Sequence, residues 1–165
     1  MPMTEDLSHH LPAVIDIARS AGQLILDIYE KKEYQAYTKS DETPVTSADI
    51  AAHKLIMEKL SDLTPDIPVL SEEAADISLD KRSQWSRYWL VDPLDGTQEF
   101  IARSGDFATI IALVENHQPI MGVVYGPVSG VTYYAYKDKG AWKIPDMNES
   151  VRIKTHNHDG QAHPI

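Results

Sequence analysis

No cysteine occurs among the 165 residues. That excludes disulfide scaffolds, thiolate nucleophiles and cysteine-type zinc sites. Basic residues are also scarce: 15 Lys and Arg stand against 25 Asp and Glu, a formal charge of −10. Such a surface opposes general binding to nucleic acid or to anionic membrane. No window holds the roughly 20 apolar residues a membrane span needs. The first ten residues, Met1 to His10, lack the basic and apolar blocks of a secretory signal, so the cytoplasm is the expected location.

What remains is one ordinary domain's length of chain, with an apolar share of 42%, enough for a real core. Its most informative segment is Asp92-Pro93-Leu94-Asp95-Gly96-Thr97, directly after the apolar run Tyr88 to Val91. Hard divalent cations such as Mg²⁺ take carboxylate and carbonyl oxygens, few in number and rigidly held. Pro93 fixes its own φ and stiffens the turn, so Asp92, the Leu94 carbonyl and Asp95 can converge on one point. Gly96 lets backbone approach a ligand, and amide groups at a following helix start suit a phosphate. The plainer reading is a solvated turn with two aspartates in it. The spacing is not that of an EF-hand loop, which needs oxygen ligands at alternating positions and a glutamate at the twelfth.

The surrounding pattern predicts an α+β fold: an N-terminal helix pair packed on a largely antiparallel sheet. Apolar residues recur at helical spacing from Glu5 to about Lys32, and again from Thr46 or Ser47 to about Leu63. Thr46 with Asp49 three residues on reads as a weak capping box, which gives Asp49 a structural role as a helix-start carboxylate. Between the helices, Tyr37 to Pro44 reads as an exposed loop, and 76–87 as another. Strands are expected at Val69–Leu70, Tyr88–Val91, Phe107–Val114, Ile120–Tyr125, Val131–Tyr136 and Ala141–Ile144, with a short helix from Thr97 to about Arg103. Acidic groups thus stand at three element ends: Asp49, then Glu72 and Glu73, then Asp92 and Asp95. Three solvated ends are the plainer account, but carboxylates brought from separate elements are also how a metal cage is assembled. Three histidines near the end, His156, His158 and His163, could bind a transition metal; a flexible tail is the better reading.

Val45-Thr46-Ser47-Ala48-Asp49, Ser71-Glu72-Glu73, Trp89 through Thr97 and Gly122-Val123-Val124-Tyr125 together resemble the inositol monophosphatase superfamily. Glu99-Phe100, where inositol monophosphatases carry Asn-Phe, makes the chain more similar to the bacterial 3'(2'),5'-bisphosphate nucleotidase branch. The resemblance implies the N-terminal half of a layered αβαβα sugar-phosphatase fold, with residues 1–150 as a metal-binding phosphatase domain and 151–165 as a flexible tail. It implies two or three Mg²⁺ ions. Glu72, Asp92 and the Leu94 carbonyl would hold the first, Asp92 and Asp95 the second, and Glu72 with Glu73 would order a third. Asp49 and Thr97 would orient and deprotonate the attacking water, so Asp49, Glu72 and Thr97 are the expected catalytic residues. Gly96 and Thr97 would hold phosphate oxygens, and Lys39 would approach the substrate from a mobile loop.

The implied reaction is Mg²⁺-dependent removal of the 3'-phosphate from 3'-phosphoadenosine 5'-phosphate, giving AMP and phosphate. The resemblance also implies lithium sensitivity, a place in sulfur metabolism, and a cytoplasmic location with peripheral attachment to the inner membrane as a variant. An inositol or sugar phosphate phosphatase with the same residues is the alternative. Family members are longer and supply a further metal-binding aspartate in a Trp-Asp-x-Ala-Ala pattern. None of Trp85, Trp89 or Trp142 is followed by aspartate. That departure raises the other alternative, an inactive N-terminal portion that only binds metal. It also predicts self-association through an uncovered, apolar sheet face.

Overall fold

A computed structural model describes residues 7–32, 34–39, 44–74, 77–146 and 148–155. A single 3₁₀ turn, Leu7–His10, leads into helix α1, Leu11–Lys31. Pro12 falls in its first turn, where a missing N–H costs nothing. Its apolar stripe, including Val14, Ala18, Ala21 and Ile25, is wholly buried. Helix α2, Ser47–Leu63, buries Ala48, Ala52, Ile56 and Leu60 against α1 and the sheet.

The expected loop before α2 contains a two-stranded hairpin instead, β1 Ala36–Thr38 and β2 Pro44–Thr46. Three-residue strands carry too few side chains to show a period. The main sheet has seven strands: β3 Val69–Ser71, β4 Arg87–Asp95, β5 Ala108–Glu115, β6 Gln118–Gly126, β7 Val131–Tyr136, β8 Gly140–Ile144 and β9 Val151–Ile153. They lie side by side in that order. Only the β3–β4 pair is parallel; the rest form an antiparallel meander. A short helix α3, Leu79–Arg82, occupies part of the expected 76–87 loop, and α4 is Thr97–Ala102.

Both long helices cover one face of this sheet, α1 on β5 and β6, α2 on β3 and β4. Gly22 sets the approach of α1: a Cβ there would stand 2.4 Å from the Tyr125 ring on β6. Trp89 anchors the other helix. It is fully buried, and its indole N–H donates to Thr64 Oγ1 at 2.9 Å, just past the end of α2. The α+β expectation, with a helix pair on a largely antiparallel sheet, holds.

Two boundaries are corrected. Asp92 and Asp95 lie inside β4, not after it, because the strand continues through Pro93 by way of an irregular register between the two aspartates. The expected tail from 151 onward begins as β9, since Val151 and Ile153 pair with β8. The three tail histidines lie outside the described residues.

Candidate active site

The parallel pairing of β3 with β4 brings the two acidic segments together. Ser71 is in register with Val91, and the Glu72 N–H donates to the Val91 carbonyl at 3.0 Å. Glu72 therefore leaves β3 beside Asp92. The Asp92–Asp95 irregularity is held from β5, where buried Thr109 donates its hydroxyl to the Pro93 carbonyl at 3.0 Å. Such a bulge re-aims side chains next to a functional site. Gly96 then turns the chain with φ 93°, and a Cβ there would sit 2.8 Å from the Asp106 carbonyl, so this position admits only glycine.

Asp49 reaches the same place from α2. The capping box is complete: Thr46 N–H and Oγ1 both donate to Asp49 Oδ2, at 2.8 and 2.5 Å. That leaves Oδ1, which accepts from Thr97 Oγ1 at 2.9 Å. The Leu94 carbonyl lies 3.3 Å from the same hydroxyl oxygen. Asp49 is 1% exposed, so its charge is held by these donors rather than by water. The structural role and the catalytic role expected of Asp49 use different oxygens of one carboxylate.

Lys39, just past β1, closes the cluster. Its Nζ stands 2.7 Å from Glu73 Oε1 and 3.4 Å from Glu72 Oε1. Burial alone would lower the Lys39 pKa, but the bond and charge of Glu73, with Glu72 behind it, raise it. Burial pushes the Glu73 carboxyl up, against the opposing pull of Lys39. The largest effect falls on Asp92, pushed up to about 7 by burial and then by the charge and close approach of Glu72, with Asp95 and Glu73 adding to it. Asp92 Oδ1 is buried and has no hydrogen-bond partner.

A buried carboxylate oxygen without a donor, pressed by like charges, needs a proton or a cation. The donors are all oxygens, the chemistry that hard divalent cations take and that softer metals do not require. Among the described residues no three His, Asp or Glu side chains already close around one point. The set fits a hard cation by donor type and by the unmatched charge at Asp92.

Lys39 pairs with Glu72, Glu72 and Asp95 act on Asp92, Thr97 bonds Asp49 and the Leu94 carbonyl, and Gly96 lies between Asp95 and Thr97 in the chain. Glu73, expected only as an accessory, is the carboxylate that Lys39 holds most closely. His53 was not anticipated. It lies one turn after Asp49 on α2, and its Nδ1 is 2.8 Å from Ser71 Oγ. The i, i+4 spacing from Asp49 was a readable signal for it. A cavity of about 550 Å³ opens beside Glu72 and Asp92, lined by Leu70, Ile77, Arg82, Leu90, Ile110 and Ala112 among others.

The helix pair on this sheet with its acidic cluster agrees with the sequence, since the family model of the Inositol monophosphatase family matches residues 6–162. The chain belongs to the inositol monophosphatase family. It is 54% identical over 134 residues to the 3'(2'),5'-bisphosphate nucleotidase CysQ of Salmonella typhimurium, covering 81% of this chain and 54% of that protein. Against the CysQ of Aggregatibacter actinomycetemcomitans it is 45% identical over 155 residues, covering 94% and 56%. The crystal structure of CysQ from Bacteroides thetaiotaomicron superposes with a TM-score of 0.71 at 43% identity, over 85% of this chain and 50% of that one. The chain spans about half the length of the relatives it matches.

Proposed function

We propose that this chain carries the metal- and water-activating part of a Mg²⁺-dependent phosphomonoesterase whose substrate is 3'-phosphoadenosine 5'-phosphate. The carrying observation is the Asp49–Thr97–Leu94 constellation together with Asp92 on the same strand as Leu94, whose buried Oδ1 has no partner and which Glu72 presses with like charge. The substrate assignment rests on similarity to proteins named as bisphosphate nucleotidases.

In this reading Glu72, Asp92 and the Leu94 carbonyl would hold one Mg²⁺, Asp92 and Asp95 would hold a second, and Glu72 with Glu73 would help order a third. Bound Mg²⁺ supplies an acidified water and neutralises phosphate charge, which reconciles an acidic site with an anionic substrate. The chain's own residues do the rest. Thr97 Oγ1 accepts the proton of the attacking water while donating its own to Asp49 Oδ1. The new P–O bond forms in line as the bond to the 3'-oxygen breaks. That oxygen takes a proton from solvent water and leaves as the 3'-hydroxyl of AMP, and Asp49 returns the proton it received to solvent through Thr97. Amide groups of Gly96 and Thr97 bind phosphate oxygens, and Lys39 moves from Glu73 toward the substrate.

The test is phosphate release from 3'-phosphoadenosine 5'-phosphate, with and without Mg²⁺, beside inositol monophosphate. Metal-dependent release that favours the nucleotide supports the assignment. Faster release from inositol monophosphate overturns the substrate, and no Mg²⁺ binding overturns the site. Lithium inhibition belongs to the same reading and is tested in the same assay. We further propose the sheet face opposite α1 and α2, which presents Leu70, Leu90 and Ile110, as a surface for self-association.

A further inference from the structure

We propose that His53 is a positioning residue for the acidic turn Ser71-Glu72-Glu73. Ser71 is the last residue of β3 and is buried. Its hydroxyl oxygen accepts the Glu73 N–H at 3.3 Å, and its carbonyl accepts the Ala74 N–H at 3.0 Å, so Ser71 closes the turn from both its side chain and its backbone. A hydroxyl has one proton to give. The atom placed to receive it is His53 Nδ1, 2.8 Å away.

With Ser71 as the donor in this bond, the imidazole is the neutral tautomer with its proton on Nε2. The ring's half-buried position favours the same state, since burial, and then Lys54, lower its pKa. His53 thereby ties the glutamate turn to α2, the helix whose first turn presents Asp49 to Thr97. One rigid helix then sets the separation between the water-activating pair and the Glu72–Glu73 carboxylates. Carboxylates in a metal site need such outer partners to hold their orientation.

The test compares the parent with His53→Ala and His53→Asn by NMR, first without metal and then in a Mg²⁺ titration. Alanine suits a helix but offers no acceptor, whereas the asparagine Oδ1 stands near the place of Nδ1 and can take the Ser71 proton. In metal-free buffer His53→Ala is expected to speed exchange of the Glu73 amide about tenfold, and His53→Asn to restore most of that protection. In the titration, His53→Ala should weaken Mg²⁺ affinity about tenfold or more. Unchanged Glu73 exchange in His53→Ala would overturn the proposal, as would an Asn variant no better than Ala. Only the titration rests on the metal-site reading. A parent that binds no Mg²⁺ defeats that reading, while amide exchange still decides the role of His53.

Discussion

At the scale of single residues, Asp92 carries the largest electrostatic perturbation of the acidic cluster. Its carboxyl lies at about 7 in the folded chain against an ordinary 3.8, with burial as the leading cause. Between those values the folded state keeps a proton that the unfolded chain has released. Stability from this group is therefore complete below its unfolded value and is lost as pH rises through the folded one. In metal-free buffer, thermal unfolding of the parent should move to lower temperature from about pH 5 to about pH 8. Asp92→Asn should flatten that dependence, unfold at higher temperature than the parent at the alkaline end, and fail to bind Mg²⁺. An Asn variant less stable than the parent there would mean the carboxylate is needed for the fold. Thr97→Ala probes the other half of the site. It removes the hydroxyl between Asp49 and Leu94 and should cut turnover by about a hundredfold or more, with the Mg²⁺ affinity retained. A variant as active as the parent in the phosphate-release assay would remove Thr97 from the proton path.

Elements decide how these residues come to meet, and here the sequence was only partly legible. Asp49 could be read because it opens a helix with a clear apolar period, and Glu72 because an apolar run precedes it, so their placement at element ends came from pattern alone. The bulge in β4 could not be read in the same way. A proline and two aspartates look like the end of a strand, and only pairing with β5, with Thr109 on the Pro93 carbonyl, carries the strand through them. The hairpin β1–β2, helix α3 and strand β9 were missed for a common reason: three or four residues are too few for a period to show. Capping was underestimated. The sequence offered Thr46 and Asp49 as a weak box, whereas the structure adds a Thr46 hydroxyl bond to Asp49 and buries Thr46 completely. Thr46→Ala is accordingly expected to cost about 1 kcal/mol or more of stability, measured by denaturant unfolding. Because the same substitution removes one of the two donors to Asp49 Oδ2, turnover should fall as well. Lost stability with unchanged turnover would show that the backbone N–H of residue 46 and Thr97 suffice to hold Asp49 in place.

The whole molecule is asymmetric across its sheet. One face is buried under α1 and α2, while on the other Leu90 is 43% exposed and Ile110 and Ala112 line an open cavity. The register sets Leu90, Ala112 and Gly122 side by side across β4, β5 and β6. The row itself carries no charged side chain, with Glu72, Arg82 and Asp92 lining the same cavity. Burial of such a patch stabilises by roughly 25 cal/mol per Å² of apolar surface, whereas leaving it in water favours contact with another like it. A net charge of −10 opposes close approach of two copies, and that repulsion is screened as salt is added. Self-association through this face should therefore grow with ionic strength, opposite to an association driven by ion pairs. Sedimentation velocity on the parent and on Leu90→Glu, at low and high salt, measures it directly. The parent should form dimers or larger species that strengthen with salt, and the glutamate variant should stay monomeric in both. A parent that remains monomeric at high salt would show that this face does not recruit a second copy, and the association proposal would be withdrawn.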